Sequence, residues 1–187
     1  MATSYLFLAD GFEEIEALAV VDMLRRAGIE VETVSITEQT SVSGAHGIKV
    51  EADTIISKAN LGDAQWLICP GGLPGSTNLA ECKALTDALK AQEAKGGKIA
   101  AICAAPGVVL APLGILEGKE ATCYPSFEQY FTEGTSYRDD VPVCVSDNVI
   151  TACGPGVTMK FASAIIASTL DEATAQRVCS EMMIHRL

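Results

Sequence analysis

Residues 98–107 read KIAAICAAPG, and this stretch decides the fold. A short apolar run follows Gly96-Gly97, which is typical of a buried strand. Small residues and Pro106 come next, and the apolar stretch 108–113 predicts a helix. A strand, a sharp turn and a helix in this order form a nucleophile elbow, which needs small neighbours because the backbone is crowded there. Cys103 lies at the turn, so we expect its side chain to leave the sheet and face solvent.

This position gives the thiol of Cys103 a predicted chemical property. A helix N-terminus carries a partial positive charge, which lowers the pKa of a nearby thiol from its ordinary value of about 8.5. The thiolate is the form that attacks carbonyl groups and reacts with peroxides. The sequence therefore predicts that Cys103 is more reactive than the other six cysteines.

Strand-like and helix-like segments alternate along the rest of the chain. Strands are predicted at 5–9, 31–36, 65–69, 98–102, 120–123, 141–145 and 149–152, and helices at 14–27, 81–95, 104–113, 125–131, 157–170 and 173–184. The less regular segment 42–56 is expected to form a hairpin that extends an edge. This alternation indicates an α/β fold with a mainly parallel sheet covered on both faces. Ligands then bind beyond the carboxyl ends of the strands, where residues 10–13, 70–75 and the Cys103 turn should converge.

Length and composition indicate one globular domain over residues 1–187, because 49% of the residues are hydrophobic and 20% are charged. The formal net charge of −11 argues against nucleic acids and anionic membranes as partners. The N-terminal residues lack a basic region, and the apolar run after them is too short for a signal sequence or a membrane span. We therefore expect a cytoplasmic protein.

Neither a metal nor an organic cofactor is predicted. The seven cysteines include no Cys-x-x-Cys pair, and with only His46 and His185 available no zinc pattern can be assembled. No glycine-rich dinucleotide or P-loop motif is present. Free thiols in a reducing compartment fit these cysteines better than disulfides. Cys69 and Cys144 lie in apolar strand-like runs, where a cysteine is usually a small buried hydrophobe.

Glu16 is the second candidate residue, because it occupies the middle of an apolar helical stripe. On a helical wheel its neighbours are Ala19, Val20, Met23, Leu24 and Ala27. Burial raises the pKa of a carboxyl, and a protonated carboxyl can donate a hydrogen bond to a thiolate or a sulfinate oxygen. The alternative is a first-turn acid that stabilises the helix dipole. We expect Glu13 and Glu14 to have that ordinary role.

Two glycine-containing segments are candidates for the same site. Glycines at 70–72 allow close approach to the backbone, and an N–H near Gly72 could form an oxyanion hole with that of Ala104. The alternative is a turn that requires positive φ. The segment Gly154-Pro155-Gly156 either lines the same mouth or caps the following helix, and we favour the structural role.

Four motifs together resemble the ThiJ/PfpI superfamily, and within it the branch of the Parkinson's-disease protein DJ and its bacterial relatives. These motifs are DGFEEIE at 10–16, PGG at 70–72, AICAAP at 101–106 and GPG at 154–156. The resemblance covers nearly the whole chain. It implies a flavodoxin-like three-layer sandwich and a homodimer.

The resemblance also implies roles for individual residues. Cys103 would be the elbow cysteine that is readily oxidised to sulfinate, with Glu16 as its acidic partner and the Gly72 and Ala104 amides facing the sulfur. Activities implied by the branch are glutathione-independent glyoxalase, deglycase, weak protease or chaperone action, and oxidative-stress sensing. Gly71, Gly154 and Pro155 would belong to the pocket.

The sequence departs from the superfamily pattern at three positions. Peptidase and amidase members have a His directly after the cysteine, and Ala104 at that position argues against a peptidase. Tyr124 replaces a His of strong glyoxalases, so glyoxalase activity should be weak. His46 lies where the branch has an Arg near the dimer interface. It either contacts the other subunit's active site or is an ordinary surface His.

Two hypotheses follow. The first is a cofactor-independent enzyme in which Cys103 acts on small reactive aldehydes or on glycated adducts, with Glu16 moving the proton. The second is a redox sensor or stress-protective chaperone whose Cys103 is oxidised to sulfinate and held by a protonated Glu16.

Overall fold

A central seven-stranded β-sheet organises the computed structural model, which describes residues 2–184. The strands are β1 (Ser4–Leu8), β2 (Val31–Ser35), β3 (Ser41–Ser43), β4 (Lys49–Glu51), β5 (Thr54–Ile55), β6 (Trp66–Cys69), β7 (Lys98–Ile102), β8 (Glu120–Ala121), β9 (Ser136–Tyr137), β10 (Val143–Ser146) and β11 (Val149–Ala152). The α-helices are α1 (Glu14–Arg26), α2 (Gly75–Glu81), α3 (Lys83–Ala94), α4 (Thr158–Thr169) and α5 (Glu172–Glu181).

The order of strands in the central sheet is β10-β11-β7-β6-β1-β2-β5. All neighbouring pairs are parallel except β10 and β11, which form an antiparallel hairpin at one edge. The carboxyl ends of β1, β6, β7 and β11 therefore meet at one side of the sheet. The loops that follow these four strands carry the candidate site residues.

Side chains alternate between the two faces of the sheet, and each face has its own hydrophobic cluster. Leu6 and Leu8 of β1 pack in a cluster with α1, α4 and α5, in which Phe161 is fully buried. Tyr5 and Phe7 point the other way, into a cluster with α3 and the segment after Cys103. The result is the predicted flavodoxin-like three-layer sandwich, so this prediction is confirmed.

The helices next to the site differ from those that the sequence predicts. The predicted helix 81–95 corresponds to α3, and the sequence does not predict α2, which precedes it; Cys82 between the two helices has extended backbone angles. The predicted helix after Cys103 is a π-helical turn at Pro106–Leu110 followed by a 3-10 turn at Ala111–Leu113. Gly114 ends it in the left-handed conformation that glycine adopts without steric cost.

Two further expectations need correction. The hairpin predicted within 42–56 does form, from β3 and β4, but it is a separate two-stranded sheet, and β5 extends the central sheet instead. The predicted helix 125–131 is a single 3-10 turn at Glu128–Tyr130. β8 also pairs with β9, a short strand that the sequence does not predict.

The single domain over residues 1–187 stays a prediction, although both hydrophobic clusters pack on the same sheet. Among residues 2–184 we find no helix with the length and apolar character that crossing a membrane requires. His185 lies outside the described residues.

Candidate active site

Cys103 occupies the predicted turn between β7 and the π-helical turn, and its backbone is strained. Its φ is 64°, which non-glycine residues rarely adopt. Two hydrogen bonds hold this conformation: the N–H of Cys103 donates to the Ala152 carbonyl at 2.9 Å, and its carbonyl accepts from the Tyr124 N–H at 2.9 Å. The side chain is half-buried. The sheet and the loop after β8 therefore fix the direction in which the sulfur points.

Glu16 lies on the first turn of α1 and is completely buried beside Cys103. Its Oε2 accepts a hydrogen bond from the Gly71 N–H at 2.8 Å. Its Oε1 has no hydrogen-bond partner within residues 2–184. A buried polar atom without a partner costs about 1–3 kcal/mol, which makes it a candidate for a functional role.

Gly71 is the residue that lets the thiol and the carboxyl approach each other. A Cβ at this position would lie 2.6 Å from both the Cys103 Cβ and the Glu16 Oε2. Any larger residue would therefore push one of the two side chains away. This close approach gives Gly71 a packing role between the two side chains.

The adjacent loop is held rigidly against α1. Gly72 has a φ of 90°, and a Cβ there would lie 2.5 Å from the Glu13 nitrogen and the Gly11 carbonyl oxygen. The Glu13 N–H also donates to the Gly71 carbonyl at 3.0 Å. The backbone N–H groups of Gly72 and Ala104 both interact with the Cys103 thiol and lower its pKa. An oxyanion hole uses backbone N–H donors of this kind.

Burial determines the protonation of the Glu16–Cys103 pair. It raises the pKa of Glu16 to about 7, although the hydrogen bond from Gly71 opposes the shift. Burial, and then the charge of an ionised Glu16, also raise the pKa of the Cys103 thiol, whereas the Ala104 and Gly72 N–H groups lower it. The sequence predicted a lowered thiol pKa from a helix dipole, but only a short π-helical turn follows the cysteine.

Below pH 7 the thiol therefore faces a neutral carboxyl group. A neutral Glu16 does not repel a thiolate, and its O–H can donate a hydrogen bond to the sulfur. The pKa of Glu16 is about 7, whereas burial and the charge of Glu16 raise the pKa of Cys103 to about 12, so the carboxyl group ionises before the thiol. A thiolate at Cys103 is therefore favoured only while Glu16 keeps its proton and donates it to the sulfur.

His46 contacts its own chain at the edge of the site. Its ring Nδ1 lies 2.8 Å from the Glu14 Oε2 and 3.7 Å from the Glu13 Oε1. The backbone N–H of His46 donates to the Glu14 Oε1 at 2.7 Å. Burial raises the pKa of Glu14, but the hydrogen bonds from His46 outweigh it and hold the pKa below its usual value. The same hydrogen bond raises the pKa of His46.

Glu14 is the residue that sequence reasoning missed. The sequence predicts an ordinary first-turn acid, but only 6% of Glu14 is exposed, because the β3–β4 hairpin covers it. Gly44 of that hairpin allows the contact, since a Cβ there would lie 2.3 Å from the Glu14 Oε1. Gly44 and Glu14 are 30 residues apart, so no local sequence pattern predicts their contact.

One group in the described part of the chain has the composition of a metal site. Glu13, Glu14 and His46 place one ligand atom each within 4.8 Å of one another. The hydrogen bond between His46 and Glu14 already explains this proximity. We therefore assign no metal to it.

The Tyr124 ring packs against Gly154, whereas Pro155 belongs to the turn that follows. A Cβ at Gly154 would lie 3.1 Å from the Tyr124 ring, and 46% of Tyr124 is exposed. Pro155 begins a 3-10 turn whose carbonyl accepts from the Thr158 hydroxyl at 2.8 Å. The structural role that we favoured for this segment therefore applies to Pro155.

All seven cysteines lie in the described part of the chain and are free. Cys69 and Cys144 are buried, as predicted. The cytoplasmic location stays a prediction.

Fold and site together define a flavodoxin-like α/β protein with a strained elbow cysteine next to a buried carboxyl group. The chain belongs to the DJ-1/PfpI family, whose model matches residues 2–168.

Relatives in plants and animals align with most of the length of this chain. Protein DJ-1 homolog A of Arabidopsis thaliana is 36% identical over 177 residues, which are 95% of this chain and 45% of that protein. The chain therefore spans about half the length of this plant relative. The Caenorhabditis elegans protein named glutathione-independent glyoxalase DJR-1.2 is 38% identical over 155 residues, which are 82% of this chain and 81% of the relative.

A solved structure has the same fold over nearly its whole length. The structure described as Toxoplasma gondii DJ-1, oxidized, superposes with a TM-score of 0.93 at 35% identity, and the match covers 98% of each chain.

We predict that Glu16→Leu slows the alkylation of Cys103 by iodoacetamide at a pH below 7 by about tenfold, whereas Glu16→Gln slows it less. A hydrogen bond to a charged group contributes about 1.5–3 kcal/mol, and leucine removes the donor whereas glutamine keeps one. Peptide mass spectrometry of timed samples measures the rate at Cys103. Equal rates in all three proteins, or faster alkylation of Glu16→Leu, would contradict a hydrogen bond from protonated Glu16 to the sulfur.

Proposed function

We propose that this protein acts on small reactive aldehydes, such as the 2-oxoaldehyde methylglyoxal or adducts formed from it, with Cys103 as the nucleophile. The first support for this proposal is that the chain belongs to the DJ-1/PfpI family. The observation that carries the proposal is the position of the strained Cys103 between two N–H donors and a buried carboxyl with a pKa of about 7. A general acid–base group is most effective when its pKa lies near the working pH.

The first step is attack of the Cys103 thiolate on the aldehyde carbon. The carbonyl π bond breaks as the carbon–sulfur bond forms, and the negative charge moves to the oxygen. The N–H groups of Gly72 and Ala104 would hold this oxyanion, a role that their interaction with the Cys103 thiol supports. Glu16 supplies or accepts the proton, because its Oε1 is free of other hydrogen bonds among the described residues.

The second step converts the hemithioacetal into a thioester. A base takes the proton from the former aldehyde carbon, and an enediol forms with the neighbouring carbonyl. Return of a proton to the second carbon gives a thioester of a 2-hydroxy acid, without any external oxidant. Water then hydrolyses the thioester, which releases lactate from methylglyoxal and restores the thiol. Glu16 is the buried group placed to move this proton.

The relative from Caenorhabditis elegans that is named a glutathione-independent glyoxalase supports this substrate class. Tyr124 at the mouth is half-exposed and offers no imidazole. We therefore expect slow turnover, since proton transfer rests on Glu16 or on water.

We predict that Cys103→Ser abolishes lactate formation from methylglyoxal, and that Glu16→Gln lowers kcat by about a hundredfold or more. Glutamine keeps a hydrogen-bond donor near the sulfur but cannot carry the proton. An enzymatic lactate assay, combined with iodoacetamide alkylation of Cys103, separates loss of proton transfer from loss of the nucleophile.

Cys179→Ser is the matched control, because Cys179 is half-buried in α5, away from the site. It should keep the activity of the unmodified protein. Full activity of Cys103→Ser would rule out the proposed enzyme.

The second candidate function is that of a redox sensor or stress-protective chaperone, with Cys103 oxidised to sulfinate. The unpartnered Glu16 Oε1 favours it, because a protonated carboxyl could donate to a sulfinate oxygen at the same place. The related Toxoplasma gondii structure is described as oxidized, which also supports this chemistry.

We predict that mild hydrogen peroxide adds two oxygen atoms to Cys103, and that Glu16→Leu lowers the yield of this product at least severalfold. Leucine provides no donor for the sulfinate, whereas Glu16→Gln provides one and should retain more of the product. Intact-mass and peptide mass spectrometry measure both quantities. Oxidation distributed evenly over the seven cysteines would argue against a tuned site.

A homodimer is the assembly that we propose for both functions. Three large apolar side chains lie exposed near the site: Ile15 and Leu18 on the outer face of α1, and Ile48 beside the β3–β4 hairpin. Their exposed fractions are 45%, 39% and 53%. Exposed apolar side chains that cluster often mark interfaces. The Ile48 N–H lies 3.5 Å from the Glu14 Oε1, which brings the hairpin loop close to the start of α1.

We predict that the protein sediments at twice its chain mass and that Leu18→Lys shifts it toward the monomer, because the lysine charge would be buried in the interface. Leu170→Lys is the matched control, since Leu170 is similarly exposed at the end of α4. Sedimentation equilibrium measures the mass. A monomer before mutation would refute the proposed assembly.

A further inference from the structure

Two further thiols, those of Cys123 and Cys153, lie beside the candidate active site. Both line one cavity of about 380 Å³, whose wall also includes Tyr137, Asp139 and Pro142. Neither cysteine takes part in the chemistry proposed for Cys103. We call Cys123 and Cys153 the thiol pair.

Contacts on either side of the thiol pair keep the two chain segments together. Before Cys123, the N–H of Thr122 donates to the Thr151 hydroxyl at 2.9 Å. After it, the Tyr124 ring approaches Gly154, where a Cβ would lie 3.1 Å from the ring. Both segments run in the same direction between these contacts. These contacts, the shared cavity and the electrostatic effect of Cys153 on Cys123 indicate that the two cysteines lie close together.

The environments of the two sulfurs indicate which of them is oxidised first. Cys123 is 1% exposed, whereas Cys153 is half-buried. Burial, then the charges of Glu128 and of a Cys153 thiolate, raise the pKa of Cys123 to about 12, so Cys123 keeps its proton at neutral pH. A small oxidant that enters the cavity therefore reaches the Cys153 sulfur first. Cys123 is the neighbouring thiol that can react with the oxidised Cys153.

We propose that the thiol pair forms a reversible disulfide when the protein meets a small hydroperoxide. The Cys153 sulfur attacks one peroxide oxygen, the oxygen–oxygen bond breaks, and the leaving oxygen takes the thiol proton and departs as an alcohol or water. Cys153 is then a sulfenic acid, oxidised by two electrons. The Cys123 sulfur attacks it, the sulfur–sulfur bond forms, and the hydroxyl leaves with the Cys123 proton as water.

This disulfide would be a modification site distinct from Cys103. The residues after the two cysteines, Tyr124 and Gly154, pack against each other, and the Tyr124 N–H donates to the Cys103 carbonyl at 2.9 Å. The thiol pair thus adjoins the segments that frame the elbow. Thioredoxin-type dithiols are the class of reductant that would restore it.

The test uses the full chain with Cys103→Ser, so that the elbow sulfur does not contribute to the readout. Treatment with a small excess of hydrogen peroxide, followed by alkylation of free thiols, should give chains that have lost two hydrogen atoms. Peptide mapping without reductant should show Cys123 linked to Cys153. Dithiothreitol should return the original mass. Cys153 carrying oxygen while Cys123 remains a free thiol would overturn the proposal.

Single variants in the same background locate the bond. Adding Cys123→Ser or Cys153→Ser should abolish the loss of two hydrogen atoms, whereas Cys179→Ser, also at a half-buried cysteine, should retain it. Persistence of the product without Cys153 would refute the pairing.

A second measurement needs no further variant and therefore does not depend on how well those variants fold. Phenylarsine oxide binds two neighbouring thiols and releases water. One arsenical per chain, bridging Cys123 and Cys153 in the peptide map, is the expected result. Absence of this bridge, or a bridge between other cysteines, would show that the two sulfurs are not adjacent.

Discussion

The contact between the buried Glu16 carboxyl and the Gly71 N–H is the interaction on which the site depends. It joins α1 to the loop after β6, beside the elbow sulfur. Burial raises the pKa of Glu16 from 4.5 to about 7, so its contribution to stability is complete below pH 4.5 and is lost as pH rises through 7. The loss is about 3 kcal/mol, a large part of a typical domain's stability. A glutamine at position 16 could accept the same hydrogen bond from the Gly71 N–H without this loss of stability. The property that only the glutamate provides is a proton that can be transferred.

The sheet could be predicted from the sequence because its central strands are continuous apolar runs bounded by turn residues. The run before Cys103 became β7 over the predicted residues, Lys98–Ile102. Helix boundaries were harder to predict. The segment Gly75–Glu81 has no strong apolar period, and its position depends on long-range contacts such as the Gly75 N–H with the Gly11 carbonyl. The turn after Cys103 is π-helical, and its Gly107 packs against the Phe127 backbone, a contact that no local pattern indicates.

The candidate site was predictable where one residue broke a local rule. A thiol within a run of small residues and an acid within an apolar stripe are both visible in sequence, and the structure places Cys103 and Glu16 side by side. The direction in which the pKa of the Cys103 thiol shifts was not predictable, because it depends on how deeply Cys103 and Glu16 are buried. The Glu14–His46 contact was also hidden, since it joins a helix to a hairpin 32 residues away.

The two proposed oxidation sites differ because of what lies next to each sulfur. Cys103 has a carboxyl group and two N–H donors as its close neighbours, and these can stabilise an anionic oxygen on the sulfur. Oxidation there can proceed to a sulfinate, which ordinary thiols do not reverse. Cys153 shares its cavity with a second thiol, and a sulfenic acid beside a thiol condenses to a disulfide before it gains more oxygen. One edge of the sheet would therefore combine a lasting oxidation with a reversible one, and the neighbouring residues, more than the sulfurs themselves, determine which occurs.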